Sequence, residues 1–320
     1  MRTSLRLALC LVLLGSNSAV AGLQTAALPG QKPAAQAEPA PNDATALAAR
    51  GRRLTTTGEF EEAVGLFTRA LAIDPELFEA HLGLGIVMDL QGRYEAARDH
   101  LRHALGRAPK DARSTALAAL AVSYVFESQV KEAAKYYQQQ FDDQVGGAAL
   151  DAAAGTANAL GRLYLETGDL DKAQQWYRTG YDTAQKMRGL PADQIDLWEM
   201  RWLHAQSRLA ARRGDAATAA THAAALKALI DKGGDNANQL PIYQYLLGYN
   251  AYHLGRYDTA IAELEKADQR DPFILALLAR ASEKRGDAAA AKSYWTKVLA
   301  QNGHSLQNAF VREAARAALK

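Results

Sequence analysis

Cysteine is almost missing from this chain of 320 residues: the only one, Cys10, sits inside an apolar run near the N-terminus. The remainder can form no disulfide within itself and offers neither a thiolate nucleophile nor a cysteine-ligated zinc site. Proline is nearly as scarce, with nine residues, four of them crowded together as Pro29, Pro33, Pro39 and Pro41, and aromatic residues make up only 8%. HExxH and GxSxG are both absent, which removes the sequence signatures of zinc proteases and of serine hydrolases. A charge surplus is lacking too. Two of the 37 Lys and Arg are Arg2 and Arg6, and the other 35 balance 35 Asp and Glu. Nothing electrostatic therefore points to nucleic acid, whose binding is driven by phosphate neutralisation.

What is abundant is alanine, 67 residues or about one in five. Helix formers in that proportion predict a mostly helical chain and argue against a β-sandwich or barrel. Arg2 and Arg6 precede an apolar core from Leu7 to Leu14, and Ala19-Val20-Ala21 is a small-x-small cleavage site, so residues 1–21 read as a secretory signal peptide. The core is far shorter than the about 18 to 20 apolar residues that span a bilayer. A periplasmic or secreted product without stable membrane insertion is the expectation. Leu9 stands before Cys10 where a lipoprotein site wants a small residue. Residues 22–43, rich in Pro, Ala and Gln, cannot pack a core and read as a disordered leader.

Laying residues 44–77 over 78–111 superposes Gly51 on Gly85, Gly58 on Gly92, Phe60 on Tyr94, Ala63 on Ala97, Phe67 on Leu101 and Pro75 on Pro109, all at one spacing. The same template fits from Ser114, Ala154, Met200, Pro241 and Pro272, which gives seven copies. Position 8 is then Gly51, Gly85, Ala121, Gly161, Ser207, Gly248 and Ala279; position 15 is Gly58, Gly92, Ser128, Gly168, Gly214, Gly255 and Gly286. Position 20 is alanine in every copy, from Ala63 to Ala291. Glycine inside a helix costs about 1 kcal/mol relative to alanine, so a column of small residues marks two backbones that must meet. Large apolar residues at position 24 supply area between repeats, and glycine at 15 ends the first helix in a left-handed turn.

The pattern resembles the tetratricopeptide repeat, a unit of about 34 residues folded as two antiparallel helices. The resemblance implies an all-α, right-handed superhelical solenoid of about seven helix pairs: repeats one to three over 44–140, a linker over 141–153 around Asp142-Asp143 and Gly146-Gly147, and repeats four to seven over 154–300. Residues 301–320 are expected to form a capping helix with Leu306, Phe310, Ala314 and Ala317 on one stripe. Gly189-Leu190-Pro191 reads as a turn and Asp193 as the cap of an extended helix; Asp271-Pro272 reads as an N-cap with proline at the first helical position. The family's frequent tryptophan at position 4 is absent throughout, and repeat five, whose second helix is nearly all alanine, should pack thinly.

Within this family the first helix of each pair lines the concave face. In repeats one to three those positions are largely apolar, with Ala48, Leu82, Ile86, Leu90, Val122, Val125 and Phe126 interspersed with Arg52, Thr55, Glu79 and Thr115. Repeat four brings Asn158, Arg162 and Glu166; repeat five brings Arg201, His204, Arg208 and Arg212; repeat six brings Tyr245, Tyr249, Tyr252 and His253. The basic and aromatic rows each follow the three-four rhythm of one helical face. They suit a protein or peptide with acidic or C-terminal carboxylate character. Equally open is that the arginines pair with acids on neighbouring helices and the tyrosines pack between helices. His100 and His103 stand three apart without a visible third ligand, so no metal and no cofactor is expected. A non-catalytic adaptor of the cell envelope follows. The alternatives are a carbohydrate-binding module using the aromatic row of repeat six together with Trp198, Trp202 and Trp295, or an enzyme with a site assembled from distant repeats.

Overall fold

The computed structural model describes residues 43–320, and the signal-peptide and leader readings of 1–21 and 22–42 lie outside them. Seven antiparallel helix pairs follow one another: α1 (Ala44–Thr57) with α2 (Phe60–Ile73), α3 (Phe78–Gln91) with α4 (Tyr94–Arg107), α5 (Arg113–Phe126) with α6 (Val130–Gly146), α7 (Leu150–Thr167) with α8 (Leu170–Ala184). The series continues with α9 (Ala192–Arg212) and α10 (Ala216–Ile230), α11 (Leu240–His253) and α12 (Tyr257–Leu264), and α13 (Pro272–Lys284) and α14 (Ala288–Leu299). No strand occurs among the described residues. Two short helices, α15 (Leu306–Ala309) and α16 (Arg312–Ala318), end the chain.

Sterics at the repeat columns explain the pairing. A methyl group added to Gly51 would lie 2.9 Å from the Phe67 ring, so the position 24 side chain of α2 lies directly on the position 8 glycine of α1. The position 20 alanines are buried in every repeat, and so are Phe67, Leu101, Tyr137, Tyr177, Ala223, Leu264 and Trp295 at position 24. All seven position 15 residues have positive φ, six as glycine and one as Ser128 at 57°. Asp271 caps α13 through the Phe273 amide at 2.8 Å, with Pro272 as the first helical residue.

Three expectations need correction. Residues 141–153 are not a linker, because α6 runs through Gly146 and α7 begins at Leu150. Their polar side chains are used sideways: Arg113 Nε donates to Asp143 at 3.1 Å, and Gln144 Nε2 donates to the Ser114 hydroxyl at 3.0 Å. α9 is indeed long, but its N-cap is Pro191, and Asp193 falls within the first turn.

The third correction concerns residues 301–320, which form no single capping helix. The segment breaks at Phe310–Val311 and, besides packing on α14, crosses to the opposite end of the array. His304 Nε2 pairs with the buried Asp89 carboxylate at 2.8 Å, Arg312 Nε donates to the Leu90 carbonyl at 3.1 Å, and Arg316 Nη1 donates to the Tyr94 hydroxyl at 3.1 Å. Leu306 and Ala309 are buried with Leu90, Val122 and Phe126 of α3 and α5, and Phe310 packs against them. The C-terminus is thus a strap that ties repeat seven to repeats two and three.

Candidate functional site

The inner face divides in two. In repeats four to seven, the columns expected to line a groove do converge, but into the interior. Arg162, His204, Arg208, Tyr245 and Tyr249 are each at most 4% exposed. Arg208 Nη2 donates to the Tyr177 hydroxyl at 2.8 Å, while Glu166 lies 3.8 Å from Arg208 and 3.5 Å from Arg212. Arg212 Nη1 also donates to the Tyr249 hydroxyl at 3.3 Å. The Tyr245 and Tyr249 rings meet edge-on at 5.9 Å, and His204 packs on Tyr245 at 5.6 Å. Arginines paired with a neighbouring helix and tyrosines packed between helices are what the structure shows here, in place of an open peptide groove.

Burial dominates the protonation of this cluster. It holds the His204 imidazole well below its usual range, helped by Arg208 and Arg162. It pushes His253 down to about 3, with Arg212, Arg280 and Arg208 adding to the effect. The Tyr245 phenol is raised to about 12 by burial, against the pull of Arg162 and Arg208. Both histidines are therefore neutral near pH 7, and the fixed positive charge resides on the guanidiniums.

Three residues chosen from the sequence stand apart. Arg201 stacks on Trp198 at 4.2 Å, and Tyr252 turns toward Tyr257 of α12 at 5.8 Å. Asn158 faces α8, where its Oδ1 would lie 2.8 Å from a methyl group placed on Gly180. Conversely Tyr177, Asp271 and Phe273 join the cluster without having been chosen. Tyr177 was legible only as a packing residue at position 24, and Asp271 only as an N-cap.

In repeats one to three the inner face stays open. A cleft of about 810 Å³ is lined by Ala48, Arg52, Thr55, Leu82, Ile86 and Thr115, and is bounded by Asn302, Gly303 and His304 of the strap. Glu79 and Asp111 add two carboxylates to its lining. Apart from Asp111 and the strap residues, these come from the columns that the sequence assigned to the concave face, and the strap covers the remainder around Leu90 and Phe126.

A third histidine also comes into view. His81, at the position where tryptophan is frequent, places Nδ1 3.0 Å from His100 Nδ1 and stacks on His103 at 4.9 Å. Its Nε2 lies 3.0 Å from the Pro75 carbonyl, which can only accept; His81 Nδ1 then accepts from His100. Among the described residues no group of three or more His, Cys, Asp and Glu is arranged to hold a metal ion.

A profile of the tetratricopeptide repeat matches residues 54–121, and another matches 154–186 and 242–273. Over those segments the chain carries tetratricopeptide repeats. Among solved structures it is similar to a tetratricopeptide repeat protein from Parabacteroides merdae, at 14% identity over 86% of this chain and 97% of that one, with a TM-score of 0.53. Aspartyl phosphate phosphatase F from Bacillus subtilis aligns at 13% identity over 83% of this chain and 71% of its own, TM-score 0.54. The TPR-like repeats of a kinesin light chain from Podosopora anserina align at 17% identity over 61% and 98%, TM-score 0.50. At such identities the likeness concerns the fold alone. No curated protein sequence matches the chain.

A tetratricopeptide array is in general a scaffold for protein partners, and no helix among the described residues is long and apolar enough to cross a membrane. Of the aromatic residues considered for carbohydrate, Trp198, Trp295, Tyr245 and Tyr249 are buried, with Trp295 Nε1 donating to Glu283 at 2.6 Å, while Trp202 and Tyr252 are half-buried.

Proposed function

We propose that this tetratricopeptide repeat protein is an exported, non-catalytic adaptor that holds an extended apolar segment of a partner protein in the cleft of repeats one to three. The observation that carries the reading is the cleft itself. Its floor presents Ala48, Leu82 and Ile86 in a volume of about 810 Å³, within the roughly 300–1,000 Å³ of clefts that bury most of a small ligand. Burying apolar side chains there supplies affinity, and the exposed Glu79 and Asp111 outnumber Arg52, the sole lysine or arginine of the lining, which favours a basic residue beside the apolar stretch. The acidic preference first attached to Arg208 and Arg212 therefore does not carry over to this cleft. Export rests on the Arg2–Leu14 and Ala19-Val20-Ala21 pattern.

One preparation tests both parts. The full chain is expressed in a bacterium, recovered from the periplasm, weighed and used to select from a library of random peptides. The expected mass begins at Gly22, and the expected peptides are apolar with a basic residue. Ile86→Glu should weaken them more than about tenfold while thermal stability changes little. Peptides that bind Ile86→Glu as tightly as the parent would put the site elsewhere; a periplasmic mass retaining the first 21 residues would contradict cleavage after Ala21, and a chain found only in the cytoplasm would contradict export.

A further inference from the structure

We propose that the interior of repeats four to seven binds one small oxyanion, of the carboxylate or phosphate class, between the guanidinium groups of Arg162 and Arg208. All three nitrogens of Arg162, together with Nε and Nη1 of Arg208, are fully buried and make no hydrogen bond. The Arg162 guanidinium lies over the face of the Phe273 ring, its Cζ 4.7 Å from the centroid. That contact offsets part of the charge but supplies no oxygen acceptor to the N–H groups. The Tyr245 hydroxyl and His204 Nε2 are likewise buried without a partner.

The charge balance points the same way. Arg162, Arg208 and Arg212 face two carboxylates, Glu166 and Asp271, so the cluster carries one positive charge too many. Burial raises the Asp271 carboxyl toward its neutral form, which widens the imbalance. Uncompensated buried charge is strongly unfavourable, whereas a single oxyanion accepts several guanidinium N–H bonds at once and cancels the excess. The surroundings also limit its size. Arg162 and Arg208 are each 4% exposed, so the surface of a folded partner cannot reach them and a small solute can. The cluster meets solvent at Arg212, whose side chain is 18% exposed and gives an anion a cationic approach, and at the half-buried, neutral His253.

This site is separate from the cleft of repeats one to three, and its test does not depend on a peptide partner. The protein is exchanged exhaustively into sodium chloride, and thermal unfolding is followed while sodium phosphate or sodium acetate replaces chloride at constant ionic strength. The expected result is a saturable rise in Tm with one of these oxyanions over chloride, as mass action requires of a ligand bound only by the folded state. Arg162→Met and Arg208→Met should abolish the rise; Arg201→Met, which alters an arginine stacked on Trp198 outside the cluster, should retain it. Arg162→Lys keeps the charge and loses the fork, so it should bind at least about tenfold more weakly even if the methionine variants fail to fold. No oxyanion-specific rise in the parent, or a rise that survives Arg162→Met or Arg162→Lys undiminished, overturns the proposal. The same holds if Arg162→Met raises Tm in chloride while the parent ignores oxyanions, the mark of a buried arginine that binds nothing.

Discussion

The turn inside each helix pair asks its position 15 residue for a left-handed backbone. Gly58, Gly92, Gly168, Gly214, Gly255 and Gly286 take it up at φ between 75° and 93°, and Ser128 adopts 57° with a side chain attached. That conformation costs a residue with a Cβ roughly 1–2 kcal/mol, against about 0.5–1 kcal/mol of extra chain entropy for glycine. Ser128→Gly should therefore stabilise the fold by about 1 kcal/mol, read as a higher urea midpoint at unchanged slope; a lower midpoint would show that the serine side chain contributes something the turn geometry does not reveal. Such positions were legible because sterics leave one answer. Arg162, Arg208 and Tyr249 were not: the helical rhythm places them on the inner face, yet whether that face meets water or another helix depends on how tightly the array winds. Position in a repeat fixes direction, and only the whole superhelix fixes burial.

Among the elements, the alanine-rich α10 behaves as its composition suggests. A cleft of about 240 Å³ opens between Ala216, Ala219 and Ala223 of α10 and Leu247, Ala251 and Leu254 of α11 and its turn. Within a pair a larger position 24 residue sits directly on position 8, as in repeat six, where a methyl group on Gly248 would lie 2.5 Å from Leu264. Ala260, at position 20 of α12, is fully buried, whereas Ala262 is exposed. Ala260→Leu should cost about 1–3 kcal/mol by overpacking and Ala262→Leu much less; equal shifts in Tm would contradict the register. The end of α6 was misread for a local reason. Gly146-Gly147 does mark the stop, with Ala148 as the left-handed residue at φ 56°, but the helix runs on through residues 141–145 to reach it, and Asp143 and Gln144 find partners at the start of α5.

At the scale of the whole molecule, the strap decides which part of the inner face is free. Its contacts join residues more than two hundred positions apart, such as Arg312 and Leu90, a relation no local periodicity encodes; the stripe of Leu306, Phe310 and Ala314 is as compatible with a terminal cap as with a bridge. Asn302 lies beside Gly58 and within 3.5 Å of the Thr56 carbonyl, so the strap forms one boundary of the cleft. The measurement that bears most directly on this account is a thiol cross-link. Cys10 is the chain's only cysteine, so Thr56→Cys with Asn302→Cys in a Cys10→Ser background gives a single reactive pair. If the strap closes the array, a short bifunctional maleimide should join the two within one chain in nearly all molecules, with thermal unfolding unchanged. Two thiols that each react with a monofunctional maleimide but do not cross-link would mean that the C-terminus does not bound the cleft.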